Sequence, residues 1–175
     1  YVDRRLRARL TVPLRTDSYY RSLAEAALKE AGVTEPPVPI EDIARGYGIP
    51  VRDVSLPRFF GGAIVNEDGL PVILVNTAKD EHARRKILAH LVGHVVVVLG
   101  DPEGSYTRGT AEVHTDADNV ADELLTPAYL VIDQAQKWFN DYRYLARLFG
   151  VTEDEMMKKM LDMGIIKQRG IHWDY

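Results

Sequence analysis

The chain has 175 residues, of which 46% are hydrophobic and 27% are charged, a composition typical of one soluble globular domain with a sizeable core. It contains no cysteine, which excludes disulfide bonds, thiol catalysis and zinc fingers. The net charge of −4 argues against a broadly nucleic-acid-binding surface. No signal-peptide pattern is present, and the long apolar segment in mid-chain is interrupted by histidines and a glycine, so we expect a cytoplasmic protein that does not enter a membrane.

The N-terminal part divides into a basic segment and two helical segments. Residues 1–16 contain five arginines with little periodicity, which fits either an extended tail or a basic arm that contacts a partner. Residues 18–32, SYYRSLAEAALKEAG, have leucine and alanine at helical spacing and end in a glycine placed as a C-cap. Residues 40–51, IEDIARGYGIPV, predict a short helix that stops at its glycines and leads into a strand.

The next part of the chain is rich in strand signals. Residues 49–54, 59–65 and 71–76 are short runs of β-branched and aromatic residues. Between the last two runs, Asp68 and Gly69 form a dipeptide that strongly favours a hairpin turn. The sequence therefore predicts a small antiparallel meander, with strands near 60–65 and 71–75.

The C-terminal half is predicted to be helical. Turn signals are found at residues 100–102, at Pro127 and at Gly150. The order of a helix, a sheet and then further helices indicates an α+β fold. The predicted helices of this half cover residues 79–99, 115–135, 141–149 and 152–163.

One of these helices carries two histidines. The segment 87–100 reads ILAHLVGHVVVVLG, with His90 and His94 four residues apart. Residues at this spacing lie on one helix face with Cβ atoms about 5–6 Å apart, so two imidazoles can converge on one zinc ion. The alternative is a pair of partly buried, hydrogen-bonded histidines without a metal. In zinc peptidases with a His-Glu-x-x-His helix the residue after the first histidine is a glutamate, and here it is Leu91.

The surrounding motifs resemble the ImmA/IrrE family of zinc metallopeptidases. HARRKILAHLVGHVV is similar to the family's basic pair, hydrophobic stretch and A-H-E-x-G-H core. GGAIVNEDGLPVILVN is similar to its hairpin, and DADNVADELLTP to its second signature, which closes in L-L-x-P. The resemblance covers about residues 18–166. It implies a zincin-like metallopeptidase domain with a small antiparallel sheet and a helical C-terminal half.

The resemblance also implies a third zinc ligand. In the family this ligand is the acidic residue just before the alanine of the second signature, and the matching residue here is Asp116. His114, two residues earlier, is a rival ligand. In the non-metal alternative Thr115 is an N-cap, and Asp116 and Asp118 favour the helix dipole in a first turn. Zinc at His90, His94 and Asp116 is the expected site.

Leu91 is the departure from the family pattern that matters most. The missing glutamate would accept a proton from the zinc-bound water and pass it to the leaving amine, which leucine cannot do. Of the carboxylates that could replace it, Glu81 falls on the opposite face of the same helix, and Glu123 lies two turns beyond Asp116. Glu112, in the loop that precedes this second helix, could reach the site only if that loop folds over it. The sequence therefore indicates a metal site without its catalytic base.

Three functional interpretations follow. The first is a zinc-binding, catalytically impaired metallopeptidase-fold protein that acts by binding a regulator or another protein partner. The second is an active zinc metallopeptidase that uses a displaced base, and the third is a scaffold or DNA-associated module without metal. Because the family's substrates are helix-turn-helix repressors, the resemblance implies a partner of that class rather than direct binding of nucleic acid. We expect a basic arm at 1–16, a zincin-like domain at 17–136 and a C-terminal helical subdomain at 137–175.

Overall fold

The computed structural model describes residues 17–101 and 110–167, so the predicted basic arm lies outside the described residues. The mixed helices and strands confirm the α+β class, with the sheet early in the chain and helices filling the C-terminal half. In chain order the elements are α1 (Asp17–Glu30), α2 (Ile40–Gly46), β1 (Val51–Val54), β2 (Gly62–Glu67), β3 (Leu70–Asn76), α3 (Glu81–Gly100), α4 (Thr110–Leu125), α5 (Ala128–Lys137), α6 (Tyr142–Phe149) and α7 (Glu153–Asp162).

The sheet has three strands in the order β1-β3-β2. β2 and β3 form the predicted antiparallel hairpin, in which Gly62 is opposite Val75, and the turn residues Asp68 and Gly69 have φ angles of 52° and 85°. β1 pairs with β3 in parallel, with Val51 opposite Ile73. The predicted antiparallel meander is therefore wrong for β1, because the connection after β1 crosses to the far side of β3 before β2 begins.

A buried asparagine holds that crossing connection in place. The side chain of Asn76, at the end of β3, is completely buried. Its Oδ1 accepts hydrogen bonds from the backbone N–H groups of Leu56 (3.1 Å) and Ala78 (3.0 Å). Its Nδ2 donates to the carbonyl oxygens of Leu56, Pro57 and Phe60. One amide side chain thus satisfies the backbone of a loop that has no strand partner of its own.

Helix α3 packs against α1, α2, α4 and the hairpin of β2 and β3, and its prediction over 79–99 is confirmed. It begins after Asp80, whose carboxylate caps the helix by accepting a hydrogen bond from the N–H of Ala83 at 2.9 Å. Residues 95–98 are four valines with strand propensity, and burial of Val95, Val96 and Val97 keeps them helical.

No helix within the described residues is sufficiently long and apolar to cross a lipid bilayer.

The basic pair at the start of α3 connects this helix to the N-terminal half. Arg84 forms an ion pair with Asp53 of β1, and Arg85 donates to the carbonyl oxygen of Val38 at 2.9 Å. Burial lowers the pKa of Arg85 from its ordinary value. These contacts fix the orientation of α3 relative to β1 and α2.

The helix predicted over 115–135 is divided into α4 and α5 at Pro127. The break is stabilised by Glu123, which is only 1% exposed and accepts a hydrogen bond from the N–H of Ala128 at 2.7 Å. The same carboxylate pairs with the buried ammonium group of Lys159 at 2.9 Å. Because a buried charge requires a partner, this pair also fixes α7 against α4.

Helices α3 and α4 touch through their backbones at Gly93. A Cβ atom placed on Gly93 would overlap the carbonyl oxygen of Ala117 and lie 3.2 Å from its carbonyl carbon. Only glycine at this position permits such an approach. The contact decides which residues of α4 stand beside the two histidines of α3.

We expect Gly93→Ala to lower the free energy of unfolding by about 1–3 kcal/mol, the usual cost of overpacking a well-packed interface. Urea unfolding followed by circular dichroism measures this. The control is Gly46→Ala, where an added Cβ meets nothing within 4 Å and stability should stay the same or rise slightly. Equal effects of the two substitutions would contradict the close helix contact.

Candidate metal centre

Three histidine side chains converge between α3 and α4. The Nε2 atoms of His90 and His94 are 3.0 Å apart, and the Nδ1 atom of His114 lies 3.1 Å from the nitrogen of His94 and 3.3 Å from that of His90. Within the described residues these three form the group of histidine and carboxylate side chains whose ligand atoms could hold one metal ion. The predicted pair on α3 is thus joined by the predicted rival ligand, His114 of α4.

The spacing of the three nitrogens fits a tetrahedral metal site. Nitrogens bound to zinc at roughly 2.0–2.1 Å in tetrahedral geometry are about 3.3–3.4 Å apart. The observed separations of 3.0–3.3 Å are close to that value. Three histidines also leave the fourth tetrahedral position open, as in catalytic zinc sites. The donor set and its dimensions therefore suit zinc.

Asp118 fixes the orientation of the first histidine. Its Oδ1 lies 2.7 Å from Nδ1 of His90. An ionised carboxylate can only accept a hydrogen bond, so Nδ1 of His90 carries the hydrogen and its Nε2 directs a lone pair toward the other two histidines. A carboxylate behind a metal-binding histidine typically sets its tautomer and ring orientation. Asp118 thus holds His90 in the tautomer and ring orientation that a metal ligand requires.

His94 is held in the neutral form that binds metals. Burial, followed by the neighbouring His90 and His114, lowers its pKa from 6.5 to about 4, and Asp118 opposes this shift. A histidine must lose its proton to bind a metal ion. At neutral pH His94 therefore offers a free lone pair.

Asp116, the ligand preferred from the sequence, is not brought into this group. Residues four apart share a helix face, whereas a residue two positions away points about 200° round the axis. His114 and Asp118 therefore face α3, where they contact His90 and His94, and Asp116 is buried at 2% exposure. Its role as a ligand stays a prediction. His114 and Asp118 are four residues apart, as His90 and His94 are. This spacing places them on one helix face and is the sequence signal that could have identified both residues.

Leu91 follows His90 but lies in the packing between α3 and the sheet. It is buried, and a Cβ atom on Gly62 would come within 3.2 Å of its Cδ1 atom. The position of the family's glutamate is therefore filled by an apolar side chain against β2. A leucine there can neither accept a proton nor hydrogen-bond to water.

The structure also places the three alternative carboxylates, Glu81, Glu112 and Glu123. Glu81 is exposed in the first turn of α3, and Glu123 is bound to Lys159 and the start of α5. Glu112 is in the first turn of α4 rather than in a preceding loop, so that expectation is corrected. None of the three belongs to the converging group.

Beside His90 lies a cavity of about 480 Å³ between α3, α4 and α7. Lys86, one turn before His90, and Asp118 contribute to its wall, as do Lys159 and Glu155. The volume is in the range of pockets that accept ligands or several side chains of a partner. A bound segment in this cavity would lie next to the histidine cluster.

Comparisons with known proteins agree with the fold. Residues 44–161 match the IrrE N-terminal-like domain of peptidase family M78. A solved structure, a transcriptional regulator of Mycobacterium tuberculosis, is similar with a TM-score of 0.59 and 20% sequence identity over 83% of this chain. The match covers 48% of that regulator, so this chain spans about half its length. No significant match was found among curated proteins.

The fold and the histidine cluster define a zincin-like domain with a group of side chains able to hold a metal. The family match extends over more than half of the chain. The chain therefore belongs to the family of the IrrE N-terminal-like domain, as its sequence motifs predicted.

We expect the metal-free protein to lose stability as the pH falls. The pKa of His94 is about 4 in the folded state against an ordinary 6.5, so between these values the unfolded chain binds a proton that the folded chain does not. The free energy of unfolding contains this contribution of His94 in full above pH 6.5 and loses it as the pH falls toward 4. Urea unfolding of chelator-treated protein across this range measures it.

His94→Gln should flatten that pH dependence, whereas the control His82→Gln, on the same helix but outside the cluster, should leave it in place. Parallel curves for native protein and His94→Gln would contradict the assignment.

Proposed function

We propose that this chain binds one zinc ion through His90, His94 and His114 and acts by binding a partner protein, with peptidase activity strongly impaired. The observation that carries the proposal is the combination of a three-nitrogen cluster of tetrahedral dimensions with a buried leucine at the general-base position. The three histidine nitrogens would bind the metal ion, and the leucine cannot accept the proton that the family's glutamate would take.

The chain's own residues have distinct roles in this proposal. The three histidines hold the ion as neutral donors, and Asp118 orients His90 through its Nδ1–H. When bound, zinc supplies a Lewis acid that polarises a carbonyl group. Leu91 packs against β2 and offers no acceptor for a proton. The site is thus equipped to attract a polar group of a partner but not to complete hydrolysis.

The expected loss of activity follows from the missing base. General acid–base catalysis contributes about 10²–10⁴-fold to a typical rate, or roughly 3–5.5 kcal/mol of barrier. Of the carboxylates that could compensate, Glu81 and Glu112 lie outside the converging group, and Glu123 is held in an ion pair with Lys159. We therefore infer negligible cleavage rather than a displaced mechanism.

A regulatory protein is the partner class that we propose, with helix-turn-helix repressors first among candidates because the family resemblance implies them. The similar solved structure is itself described as a transcriptional regulator. Phe59 and Phe60 support a protein contact, since their rings are 4.6 Å apart and 80% and 52% exposed. Exposed aromatic side chains of this kind are frequent anchors of protein interfaces.

We expect the native chain to bind about one zinc ion and the double variant His90→Ala/His94→Ala to bind none. Elemental analysis after zinc loading and removal of free metal measures this. His114→Ala should weaken binding by at least about 100-fold, because losing a ligand costs more than losing a ligand's hydrogen-bond partner.

The matched control is Asp116→Asn, which should retain zinc. The opposite pattern, with loss in Asp116→Asn and retention in His114→Ala, would restore Asp116 as the third ligand. Zinc retained in the double variant would place the metal elsewhere and overturn the proposed site.

We expect Leu91→Glu to raise cleavage by about 10²–10⁴-fold over the native chain, since it restores a general base next to the metal. Zinc-loaded proteins are incubated with unstructured peptides and candidate repressors, and products are followed by mass spectrometry. Leu91→Gln is the control, because it introduces a side chain of the same size that cannot accept the proton.

Equal rates for the glutamate and glutamine variants would contradict the role assigned to position 91. Efficient, chelator-sensitive cleavage by the native chain would contradict the impaired-peptidase proposal itself.

A further inference from the structure

A turn on the surface of the domain combines two exposed aromatic rings with an isolated positive charge. It is formed by residues 57–60, Pro57-Arg58-Phe59-Phe60, in the connection between β1 and β2. The N–H of Phe60 donates to the carbonyl oxygen of Pro57 at 2.9 Å, which closes a β-turn with Arg58 and Phe59 at its tip. We call these four residues the aromatic turn.

The aromatic turn is held from behind by the buried side chain of Asn76. Its Nδ2 donates to the carbonyl oxygens of Pro57 at 3.0 Å and Phe60 at 2.7 Å, which are the first and last residues of the turn. The rings of Phe59 and Phe60 are 4.6 Å apart, and neither belongs to the hydrophobic core. Packing therefore does not account for them. A surface that already has one conformation loses little entropy when a partner binds.

The charge on the aromatic turn has no counterpart nearby in the sequence. Arg58 is the single charged residue between Val54 and Asn66. The charged residues of β1 are paired, as Asp53 is with Arg84. Arg58 itself is exposed, and no carboxylate of the described residues pairs with it. The turn therefore presents a free guanidinium group beside two aromatic rings.

The aromatic turn lies next to the part of α3 that carries His90. Directly after the turn, a Cβ atom on Gly61 would come within 2.9 Å of Cδ1 of Ile87, and one on Gly62 within 3.2 Å of Cδ1 of Leu91. Ile87 and Leu91 lie on either side of His90 in the sequence of α3. A partner segment that reaches the metal centre along this side of the domain can also contact the turn.

We propose that the aromatic turn binds a segment of the partner protein in which an apolar residue stands close to an aspartate or glutamate. This inference rests on the proposed binding of a partner protein and names the chemistry of the bound segment. The apolar side chain packs against the rings of Phe59 and Phe60, and the carboxylate pairs with the guanidinium group of Arg58. Aromatic and arginine side chains carry much of the binding energy at protein interfaces.

The isolated charge decides between the possible occupants of the turn. A second copy of the chain, bound through a two-fold contact of the turn with itself, would bring two Arg58 guanidinium groups together. An anionic lipid surface would repel a chain with a net charge of −4, and one arginine adds only weak attraction. A protein segment with a carboxylate beside an apolar side chain matches both features of the turn.

The test selects peptides from a phage-displayed library of random sequences with the full chain as bait. We expect the enriched peptides to combine apolar residues with aspartate or glutamate, and one of them, made synthetically, to bind in a saturable way by fluorescence anisotropy. Phe59→Ala/Phe60→Ala should weaken this binding by at least about tenfold. The matched control is Leu70→Ala, at a side chain that is 69% exposed in the β2–β3 hairpin, and it should bind the peptide as the native chain does. A library without enriched peptides, enriched peptides without acidic residues, or unchanged binding by the double variant would overturn the proposal.

Charge reversal tests the pairing with Arg58. Arg58→Glu should weaken binding of the selected peptide by at least about tenfold and should bind more tightly a peptide whose acidic residue is replaced by lysine. Because the substituted side chains are exposed, every variant should keep the urea midpoint of the native chain, which separates a loss of binding from a loss of fold. Equal affinity of the native chain for the acidic and the lysine peptide would contradict the pairing.

Two further measurements test the other occupants. Sedimentation equilibrium of the chain alone should show a monomer, and cosedimentation with vesicles containing phosphatidylglycerol should show no binding. A dimer, or vesicle binding, that Phe59→Ala/Phe60→Ala abolishes would replace the proposed occupant by that one.

The metal-site variant His90→Ala/His94→Ala separates this inference from the proposed function. It should still bind the selected peptide, because the aromatic turn does not use the metal. Loss of peptide binding in this variant would place the contact at the metal centre and overturn the inference. A native chain that binds no zinc but binds the peptide would overturn the zinc site alone, whereas a zinc-binding chain that selects no peptide would overturn only this inference.

Discussion

The backbone contact between α3 and α4 at Gly93 is the constraint on which the candidate centre depends. Since Gly93 has no side chain, the carbonyl group of Ala117 lies directly against α3. His114 and Asp118 lie three residues before and one residue after that contact, so α4 presents both to the histidines of α3. A wider helix separation would break the triangle of nitrogens, because its sides are only 3.0–3.3 Å long.

The remaining structure keeps these two helices in position. Arg84 and Arg85 attach the start of α3 to β1 and to the segment before α2. Glu123 and Lys159 join the end of α4 to α7 through a buried ion pair. The fold of the family is therefore present, whereas Leu91, at the position of the family's glutamate, is part of the core packing. Our proposal of partner binding without efficient cleavage rests on this combination.

Much of the fold could be predicted from local signals. The Asp68-Gly69 turn and the β-branched runs predicted the hairpin, and the helix predicted over 79–99 is observed as α3. The parallel pairing of β1 could not be predicted, because the crossing loop is held by tertiary hydrogen bonds to Asn76 that leave no periodic pattern in the sequence. Pro127 signalled the break between α4 and α5, although one continuous helix was expected.

The sequence named the third histidine of the cluster only as a rival ligand, for a reason of helix geometry. The four-residue spacing of His90 and His94 was sufficient to place them together. The third member depends on which face of α4 meets α3, and alignment with a family signature does not fix that face. The close approach at Ala117 brings His114 and Asp118 to the histidines of α3, whereas Asp116 as a ligand stays a prediction.

The central claim is that three imidazoles, and no protein carboxylate, surround a zinc ion in this chain. X-ray absorption spectroscopy of the zinc-loaded protein measures the identity and distance of those ligands directly. The account predicts the multiple-scattering pattern of three imidazoles with nitrogens at about 2.0–2.1 Å and one further light atom. A spectrum with two imidazoles, or with a carboxylate from the chain in the first coordination shell, would contradict it.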